Sequence, residues 1–155
     1  MDLQAREELK LPLTRAWAEV TNVPGFEKLL RDRGAELERS AEPDPPGLGT
    51  TWTGSFEARG QRRAVSARIT RFDAPEALDM ALQSAGLEGV LEVRLAEAGL
   101  GRTEVTVTLT LAARSLKAKI FMQPMKLAHG TMQERFAGRV SKLARALEKK
   151  RRPRV

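Results

Sequence analysis

The spacing of apolar residues in the last third of the chain predicts one long helix, against which the preceding elements pack. From Ser115 to about Lys149, apolar residues recur at steps of three and four, as they do on one face of a helix. The apolar face consists of Phe121, Met125, Ala128, Met132, Phe136, Val140, Leu143 and Leu147. Pro124 interrupts the pattern because it has no backbone N–H, so we expect a kink or break near Gln123.

Two glycines, Gly130 and Gly138, also lie inside this helical pattern. Each costs roughly 1 kcal/mol relative to alanine in a helix interior. A glycine at such a position indicates either that a strand or ligand approaches the helix closely, or that the position is a harmless one on the surface. The sequence leaves both interpretations open.

The middle of the chain alternates apolar and polar residues, which predicts a series of strands. The predicted strands cover residues 50–59, 63–72, 78–83, 91–96 and 103–111. The last of them places valines and leucines on one side and threonines on the other. Short turns between consecutive strands predict an antiparallel meander, whose single apolar face has to be covered. The C-terminal helix is the only predicted element long enough to cover it.

The first fifty residues predict the elements that precede the meander. In order, these are a strand at 2–10, short helices at Leu13–Val20 and from Phe26 to Gly34, a strand at 35–42 and a proline- and glycine-rich loop at 43–49. Between the two helices, Asn22, Pro24 and Gly25 are interpreted as a break.

Several local motifs accompany this order of elements. They are Ala16-Trp17-Ala18-Glu19-Val20 and Asn22-Val23-Pro24-Gly25-Phe26-Glu27 in the first helices, Gly49-Thr50-Thr51-Trp52 at the entry to the meander, and Gln123-Pro124-Met125-Lys126-Leu127 in the last helix. In order and motifs the chain resembles the helix-grip superfamily, often called SRPBCC proteins. That group includes START-like lipid carriers, polyketide cyclases and Bet v 1-like allergens. The likeness covers nearly the whole chain and consists of packing and turn features.

This resemblance implies an α+β fold. In the helix-grip fold a curved antiparallel meander of about seven strands wraps around a long C-terminal helix, with two short helices after the first strand. The resemblance also implies a deep cavity between sheet and helix for lipids, sterols, polyketides or other apolar ligands. We therefore expect a single ligand-binding domain over residues 1–149 and a basic C-terminal tail at 150–155.

The amino-acid composition agrees with a single domain and excludes several kinds of metal and disulfide site. A chain of 155 residues with 41% apolar content can bury one sizeable core. With no cysteine and one histidine, the chain offers no disulfide, thiolate ligand or histidine cluster, so we expect no metal and no cofactor. The charged first residues and the lack of a long apolar run favour a cytoplasmic location.

The net charge of +7 is concentrated at the C-terminal end. Residues 1–138 contain nineteen basic and nineteen acidic residues, whereas residues 139–155 contain eight basic residues and the single acid Glu148. The basic segment from Arg139 to Arg154 suits a solvated tail, an anionic membrane surface or an acidic partner. Nucleic acid is disfavoured because no aromatic residues alternate with the basic ones.

The residues predicted to line the cavity lie on the inward side of the strands and on the apolar faces of the helices. They are Phe26, Leu30, Trp52, Phe56, Ile69, Met80, Leu82, Val93, Phe121, Met125, Met132 and Phe136. Methionine side chains adapt to irregular shapes and suit a permissive site, although each of these residues also fits an ordinary packed core. The chain has no tyrosine and few aromatic residues, so hydroxyl and stacking contacts to a polar ligand are scarce.

Catalytic candidates are few. His129 lies next to the apolar face of the long helix and is the one side chain that ordinarily titrates near neutral pH. Without an identifiable carboxylate partner, it fits a helix surface or pocket rim better than a general acid or base. Asp79, Glu92 and Arg94 lie in the meander, where each either anchors a ligand or faces solvent.

These observations support three hypotheses for the function. The first is a non-enzymatic carrier or sensor of a small hydrophobic ligand. The second is a cyclase or dehydratase in which His129 and one of the meander charges move protons on a polyketide-like substrate. The third is an interaction module whose basic helix end binds an acidic partner. A cavity filled by side chains would favour the third.

Overall fold

Seven strands and four helices follow one another in residues 1–150, the part of the chain that this computed structural model describes. The strands are β1 (Asp2–Leu9), β2 (Glu36–Arg39), β3 (Thr51–Ala58), β4 (Gln61–Asp73), β5 (Ala77–Ser84), β6 (Leu87–Glu97) and β7 (Thr103–Ala113). The helices are α1 (Leu13–Val20), α2 (Val23–Asp32), α3 (Leu116–Leu127) and α4 (His129–Lys150). This is the predicted α+β order of elements. Of the predicted basic tail, residues 151–155 lie outside the described residues.

All seven strands belong to one antiparallel sheet in the order β1-β7-β6-β5-β4-β3-β2. The predicted meander is confirmed, because consecutive strands from β2 to β7 are neighbours, and β1 joins at β7. β1 and β2 are therefore the two edges. The register places Leu78 opposite Val93, and Val93 opposite Val107. We call the face that carries these residues the inner face and the opposite one the outer face.

The packed core fills one end of the inner face. Leu9, at the end of β1, is 1% exposed, and Ala16 and Trp17 of α1 are buried beside it. The core is completed by Leu11, Trp52, Ile69, Leu78, Val93, Leu95, Val105 and Ala144. The Trp17 ring meets Phe72 edge-on, with 5.2 Å between the ring centroids. Helix α1 therefore closes this end of the sheet with the apolar face that its sequence predicts.

Helix α2 begins earlier than predicted. The sequence predicts a break at residues 22–25, but the helix starts at Val23. Asn22 caps it, since its side-chain oxygen accepts a hydrogen bond from the N–H of Gly25 at 3.2 Å. Pro24 fits because the N–H groups of the first turn have no partner within the helix. The same residues thus start a helix.

The break in the C-terminal helix lies further along than predicted. Ser115 caps α3, and its side chain accepts from the N–H of Ala118 at 3.1 Å. The helix continues through Pro124 and loses its helical conformation at Ala128, where φ is −103° and ψ is 30°. Pro124 removes one donor, but its carbonyl accepts from the N–H of Ala128 at 3.0 Å, so the last turn stays closed. The proline does not end the helix, and α3 and α4 separate at Ala128.

Gly130 and Gly138 lie on the surface. A Cβ atom built at either position meets no atom within 4 Å beyond the backbone of its own helix. The surface interpretation of these two glycines therefore holds. Gly54 of β3 is the opposite case, because a Cβ there would overlap the backbone carbonyl oxygen of Glu36 in the neighbouring strand. Only glycine lets β2 and β3 approach in this way.

We expect Gly138→Ala to raise the free energy of unfolding by about 0.5–1 kcal/mol, since alanine favours the helix and restricts the unfolded chain. Gly54→Ala should lower it by roughly 2 kcal/mol or more, because the backbone of β2 cannot move aside without disturbing its pairing. Urea denaturation followed by circular dichroism measures both changes. A loss of stability in Gly138→Ala would show that something packs against that position after all.

Candidate ligand-binding cleft

Helix α4 is held against the free edge of β1 by its side chains. Met1 exchanges two backbone hydrogen bonds with Leu111 of β7, at 2.9 and 2.8 Å, so the odd-numbered residues at this edge pair with β7. The even-numbered residues therefore point their N–H and C=O groups away from the sheet. Gln133 satisfies both groups of Gln4: its oxygen accepts from the N–H at 3.0 Å, and its NH2 group donates to the carbonyl. One side chain thus takes the place of a neighbouring strand.

Three more side chains of α4 bond the same edge. The contacts are His129 Nε2 to the Asp2 carbonyl at 2.9 Å, Arg145 Nη2 to the Glu8 carbonyl at 2.7 Å, and the Lys10 N–H to Glu148 Oε2 at 2.6 Å. This pairing runs from one end of β1 to the other, so α4 lies alongside the strand. It packs chiefly against β1, and the part of the inner face of strands β4 to β7 that lies beyond the packed core is less covered.

Apolar side chains on this part of the inner face are only half-buried. On the sheet they are Leu82, Leu91, Val107, Leu109 and Leu111, and on the helices they are Phe121, Met125, Met132 and Phe136. The buried residues of the packed core, by comparison, are at most 9% exposed. We call the space between these half-buried residues of the sheet and of the two C-terminal helices the cleft.

Helix α3 crosses the open end of the cleft. Just before the helix, the N–H of Arg114 donates at 2.8 Å to the carbonyl of Gly86, in the turn between β5 and β6. Further along, Arg59 in the turn between β3 and β4 donates at 3.1 Å to the carbonyl of Phe121. Met122, on the inward side of the helix, is 1% exposed. The helix is thus attached to two hairpin turns, and we call this end of the cleft its mouth.

Glu27 anchors α2 at the other end. Its side chain is 7% exposed, and its Oε2 accepts from the indole N–H of Trp52 at 2.8 Å and lies 3.0 Å from Nε of Arg39. A buried carboxylate is tolerated when it is paired and hydrogen bonded in this way. These contacts attach α2 to β3 and β2 and fix the Trp52 ring within the packed core. The sequence interpretation did not single out Glu27.

Solved structures with the same arrangement match almost the whole chain. TTHA0849 from Thermus thermophilus superimposes with a TM-score of 0.71 at 18% identity, over 98% of this chain and 100% of that one. The Zhui aromatase/cyclase from Streptomyces sp. R1128 gives 0.70 at 11% identity, over 98% and 96%. A norcoclaurine synthase point mutant from Thalictrum flavum, in complex with a transition-state analogue, gives 0.67 at 12% identity, over 98% and 96%.

The chain has the helix-grip fold of Bet v 1-like proteins. The fold class predicted from the sequence is thereby confirmed, and so is the resemblance to helix-grip proteins at the level of the fold. At this level of identity the likeness shows the fold alone. No protein-family model matches the sequence, and no curated protein matches it either.

The twelve residues predicted to line the cavity occupy three kinds of position in the helix-grip fold. Trp52, Ile69 and Val93 belong to the packed core. Leu30 and Phe56 lie near the surface, with 46% and 36% of their area exposed. The half-buried remainder is Phe26, Met80, Leu82, Phe121, Met125, Met132 and Phe136. Ligand contact stays a prediction for all twelve, and those that border the cleft are the best placed.

The predicted set omits four residues that border the cleft, Leu91, Val107, Leu109 and Leu111. Leu109 is opposite Leu91 in the sheet, and Leu111 is opposite Gly89. A Cβ atom at Gly89 would come within 3.3 Å of the Leu111 side chain, so glycine makes room for that leucine. The sequence does indicate that Leu109 and Leu111 face inward, because the alternation of apolar and polar residues along 103–111 places both on the inner face.

His129 forms a hydrogen bond with the backbone at the edge of β1. The Asp2 carbonyl can only accept, so Nε2 of His129 carries the proton in the hydrogen bond between them. The ring is exposed, and this hydrogen bond goes to backbone rather than to a carboxylate. This hydrogen bond gives His129 a structural role, because it helps to position α4 against β1.

Asp79, Glu92 and Arg94 form an ion-pair group on the outer face, alternating with Leu78 and Val93 of the inner face. Arg94 Nη1 lies 2.6 Å from Asp79 Oδ1, and Arg94 Nη2 lies 3.2 Å from Glu92 Oε2. The hydrogen bond to Asp79, helped by the attraction of the nearby carboxylates, raises the pKa of Arg94 above its ordinary value although partial burial opposes the shift. The three charges pair with one another away from the cleft, so they do not anchor a ligand there.

Two open depressions lie outside the cleft. One, of about 480 Å³, is on the outer face around Thr53, Ser66 and Gln83. The other, of about 410 Å³, is on the far side of α4 around Gly138 and Lys142. Both are wide open to solvent, and hydroxyl, amide and ammonium groups contribute to their walls. Their walls combine polar and apolar groups, and neither depression lies in the cleft.

Residues 1–150 contain neither a cluster of metal-ligating side chains nor a helix that could span a bilayer. No three His, Asp or Glu side chains in this stretch are grouped so that they could hold a metal ion. None of its helices combines the length and the apolar character that crossing a bilayer requires.

Glu27→Ala should destabilise the protein by roughly 2–3 kcal/mol, because it leaves the indole N–H of Trp52 and the guanidinium of Arg39 without their acceptor. Glu27→Gln should cost less, since its amide oxygen still accepts from the indole. Denaturation followed by tryptophan fluorescence measures both. Lys28→Ala is the matched control on the same helix and should change little, because the pair of Lys28 with Asp32 is exposed. Equal losses in Glu27→Ala and Lys28→Ala would contradict the anchoring role.

Proposed function

We propose that this protein binds a small apolar molecule in the cleft between the inner face of the sheet and helices α3 and α4. The observation that carries the proposal is the half-burial of the apolar side chains around the cleft, which an ordinary core would cover. A ligand filling this space would remove their exposed area from water, at roughly 25 cal/mol per Å². Burial of this apolar area by a ligand would therefore contribute favourable free energy to binding.

The solved neighbours support a small-molecule ligand. One of them is named an aromatase/cyclase, and another is a synthase in complex with a transition-state analogue. Both share the helix-grip arrangement with this chain over nearly its full length. We take this as support for a small ligand in the same fold and assign neither reaction to this protein.

The chemistry around the cleft favours a flexible molecule of low polarity. Its walls are aliphatic, thioether and phenyl groups, as in Leu109, Met125 and Phe136. Thioether side chains adjust to ligands of different shape. The chain contains no tyrosine, so no phenol hydroxyl is available to orient a polar ligand. A lipid, sterol-like or polyketide-like molecule fits these walls better than a sugar or nucleotide does.

Carriage or sensing is favoured over catalysis. His129 is engaged at the β1 edge, and the group formed by Asp79 and Arg94 lies on the outer face. The residues predicted for proton transfer are therefore not gathered at the cleft. The remaining support for the cyclase or dehydratase hypothesis is that two of the structural neighbours are named as enzymes.

The interaction-module hypothesis loses support at the described end of α4. Arg145 lies 3.4 Å from Glu7 and 3.3 Å from Glu148, so part of the basic charge is paired within the chain. Contact of the segment from Arg139 to Arg154 with a membrane or an acidic partner stays a prediction.

Binding of N-phenyl-1-naphthylamine, a neutral apolar fluorophore, tests the cleft. Leu109→Trp places a larger ring between sheet and helices and should weaken binding about tenfold or more, because it occupies the ligand's space. Val90→Trp is the matched control, since it adds the same ring on the outer face, where Val90 is 43% exposed. It should bind as the wild type does, with thermal melting confirming that both variants fold.

Mass spectrometry of protein purified under native conditions from its own host identifies the natural ligand. We expect an apolar molecule to co-purify with the wild type and to be depleted in Leu109→Trp. Absence of fluorophore binding by the wild type, or equal weakening in Leu109→Trp and Val90→Trp, would contradict binding in the cleft.

A further inference from the structure

Two arginines at the mouth of the cleft converge on one aromatic ring. The guanidinium carbons of Arg59 and Arg63 lie 4.3 and 3.8 Å from the centroid of the Phe121 ring. Arg63 is on the inner face of β4, since it is opposite Phe56 and two residues before Val65. Two positive charges thus share the entrance to an apolar space.

Neither arginine has an acidic partner in the described part of the chain. Arg59 donates to the Phe121 carbonyl, but Nε of Arg63 is buried with no hydrogen-bond partner among residues 1–150. The ring attracts both guanidinium groups through its π face, yet it offers no oxygen to their N–H donors. Both guanidinium groups are positively charged and contact the same ring, so an anion beside the ring would be attracted by both.

We propose that this arginine pair binds the anionic head group of an amphiphile whose apolar part occupies the cleft. The inference rests on the proposed function, because the cleft supplies the apolar half of the site. Guanidinium groups match the oxygens of both carboxylate and phosphate, so either head group satisfies the chemistry. Phe121, whose ring both arginines contact, and Met125, one helical turn further along α3, are among the half-buried apolar residues that define the cleft.

Three probes of equal chain length test the pair: dodecanoate, dodecyl phosphate and dodecanol, each displacing N-phenyl-1-naphthylamine. The wild type should bind at least one of the anions roughly tenfold more tightly than dodecanol. Arg63→Gln should remove this preference, so that the anions bind no more tightly than dodecanol, whereas Arg63→Lys should keep part of it. The preferred anion identifies the head group as carboxylate or phosphate.

Arg68→Gln is the matched control, since Arg68 is an exposed arginine on the outer face of the same strand and the change removes the same charge. It should keep the preference for anions. Equal binding of all three probes by the wild type, or equal loss of preference in Arg68→Gln and Arg63→Gln, would overturn the head-group site and leave the cleft standing. If no probe binds, dodecanol included, the head-group site and the proposed function fail together.

A different surface, the outward side of α3, carries a second inference independently. Leu116, Ile120 and Leu127 are 75%, 61% and 90% exposed. Their spacing of four and seven residues places them on one stripe of the helix, away from the buried Ala118 and Met122. Large aliphatic side chains exposed in a row mark a surface that meets an apolar phase or partner.

Basic residues flank this stripe. Residues 114–127 contain one arginine, three lysines and no acidic residue. The lysines, Lys117, Lys119 and Lys126, form no ion pair within residues 1–150. An apolar stripe between lysines fits an anionic bilayer, where aliphatic side chains enter the interface and ammonium groups meet lipid phosphates. A second copy of this chain would bring an equally basic helix against it, so charge favours the lipid surface.

We infer that α3 docks on an anionic lipid surface, which places the mouth of the cleft beside the bilayer. Co-sedimentation with phosphatidylcholine vesicles, with and without phosphatidylserine, measures the binding. It should require phosphatidylserine, weaken at high salt, and be lost in the double variant Leu116→Glu/Ile120→Glu. Lys142→Glu changes the net charge by the same amount on α4 and should keep most of the binding.

Three results would overturn docking through α3. The first is binding that does not depend on phosphatidylserine, or no binding at all. The second is equal loss in Lys142→Glu, which would assign the contact to the basic end of α4. The third is a dimer in sedimentation velocity that the α3 double variant dissociates, which would show that a second copy covers the stripe.

Discussion

The free edge of β1 is the constraint on which the rest of the structure depends. Backbone N–H and C=O groups at a sheet edge need partners, or they pair with another chain. Here α4 supplies the partners through side chains, and Gln133 alone bonds both groups of Gln4. A helix held in this way lies beside the sheet and not over its middle. The half-covered inner face of strands β4 to β7, and with it the cleft, follows from that position.

The two ends of the cleft differ in chemistry because different elements close them. At one end α1 and α2 complete a packed core, and Glu27 fixes α2 to Trp52. At the other end α3 is attached to hairpin turns, partly by the stacking of Arg59 and Arg63 on Phe121. The inner end is apolar, whereas the mouth carries positive charge. In the proposed site, an elongated amphiphile would bind with its apolar end innermost and its anionic end at the mouth.

The elements of this fold are predictable from the sequence, whereas the contacts between them are not. Alternation along 103–111 and the spacing of the last helix are local signals, so strands, their faces and the element order could be derived. The bond between Gln4 and Gln133 joins residues 129 positions apart, and the stacking of Arg63 depends on which hairpin turn reaches α3. Neither leaves a local pattern. Apolar residues of the core and of the cleft cannot be told apart in the sequence. The position of α4 decides which of them are covered, and that position depends on contacts between distant residues.

The distribution of charge also differs between the sequence and the surface of the folded protein. The balanced charge of residues 1–138 draws attention to the basic segment after it, yet Arg145 of that segment is paired with Glu7 and Glu148. The balanced part includes 114–127, which has four basic residues and no acid. Acidic residues that offset these in the sum, such as Glu92, lie on other faces. Because salt screens charges beyond about 10 Å, a distant carboxylate does not neutralise a lysine. The charge on one helix face, and not the total, therefore decides what that face can bind.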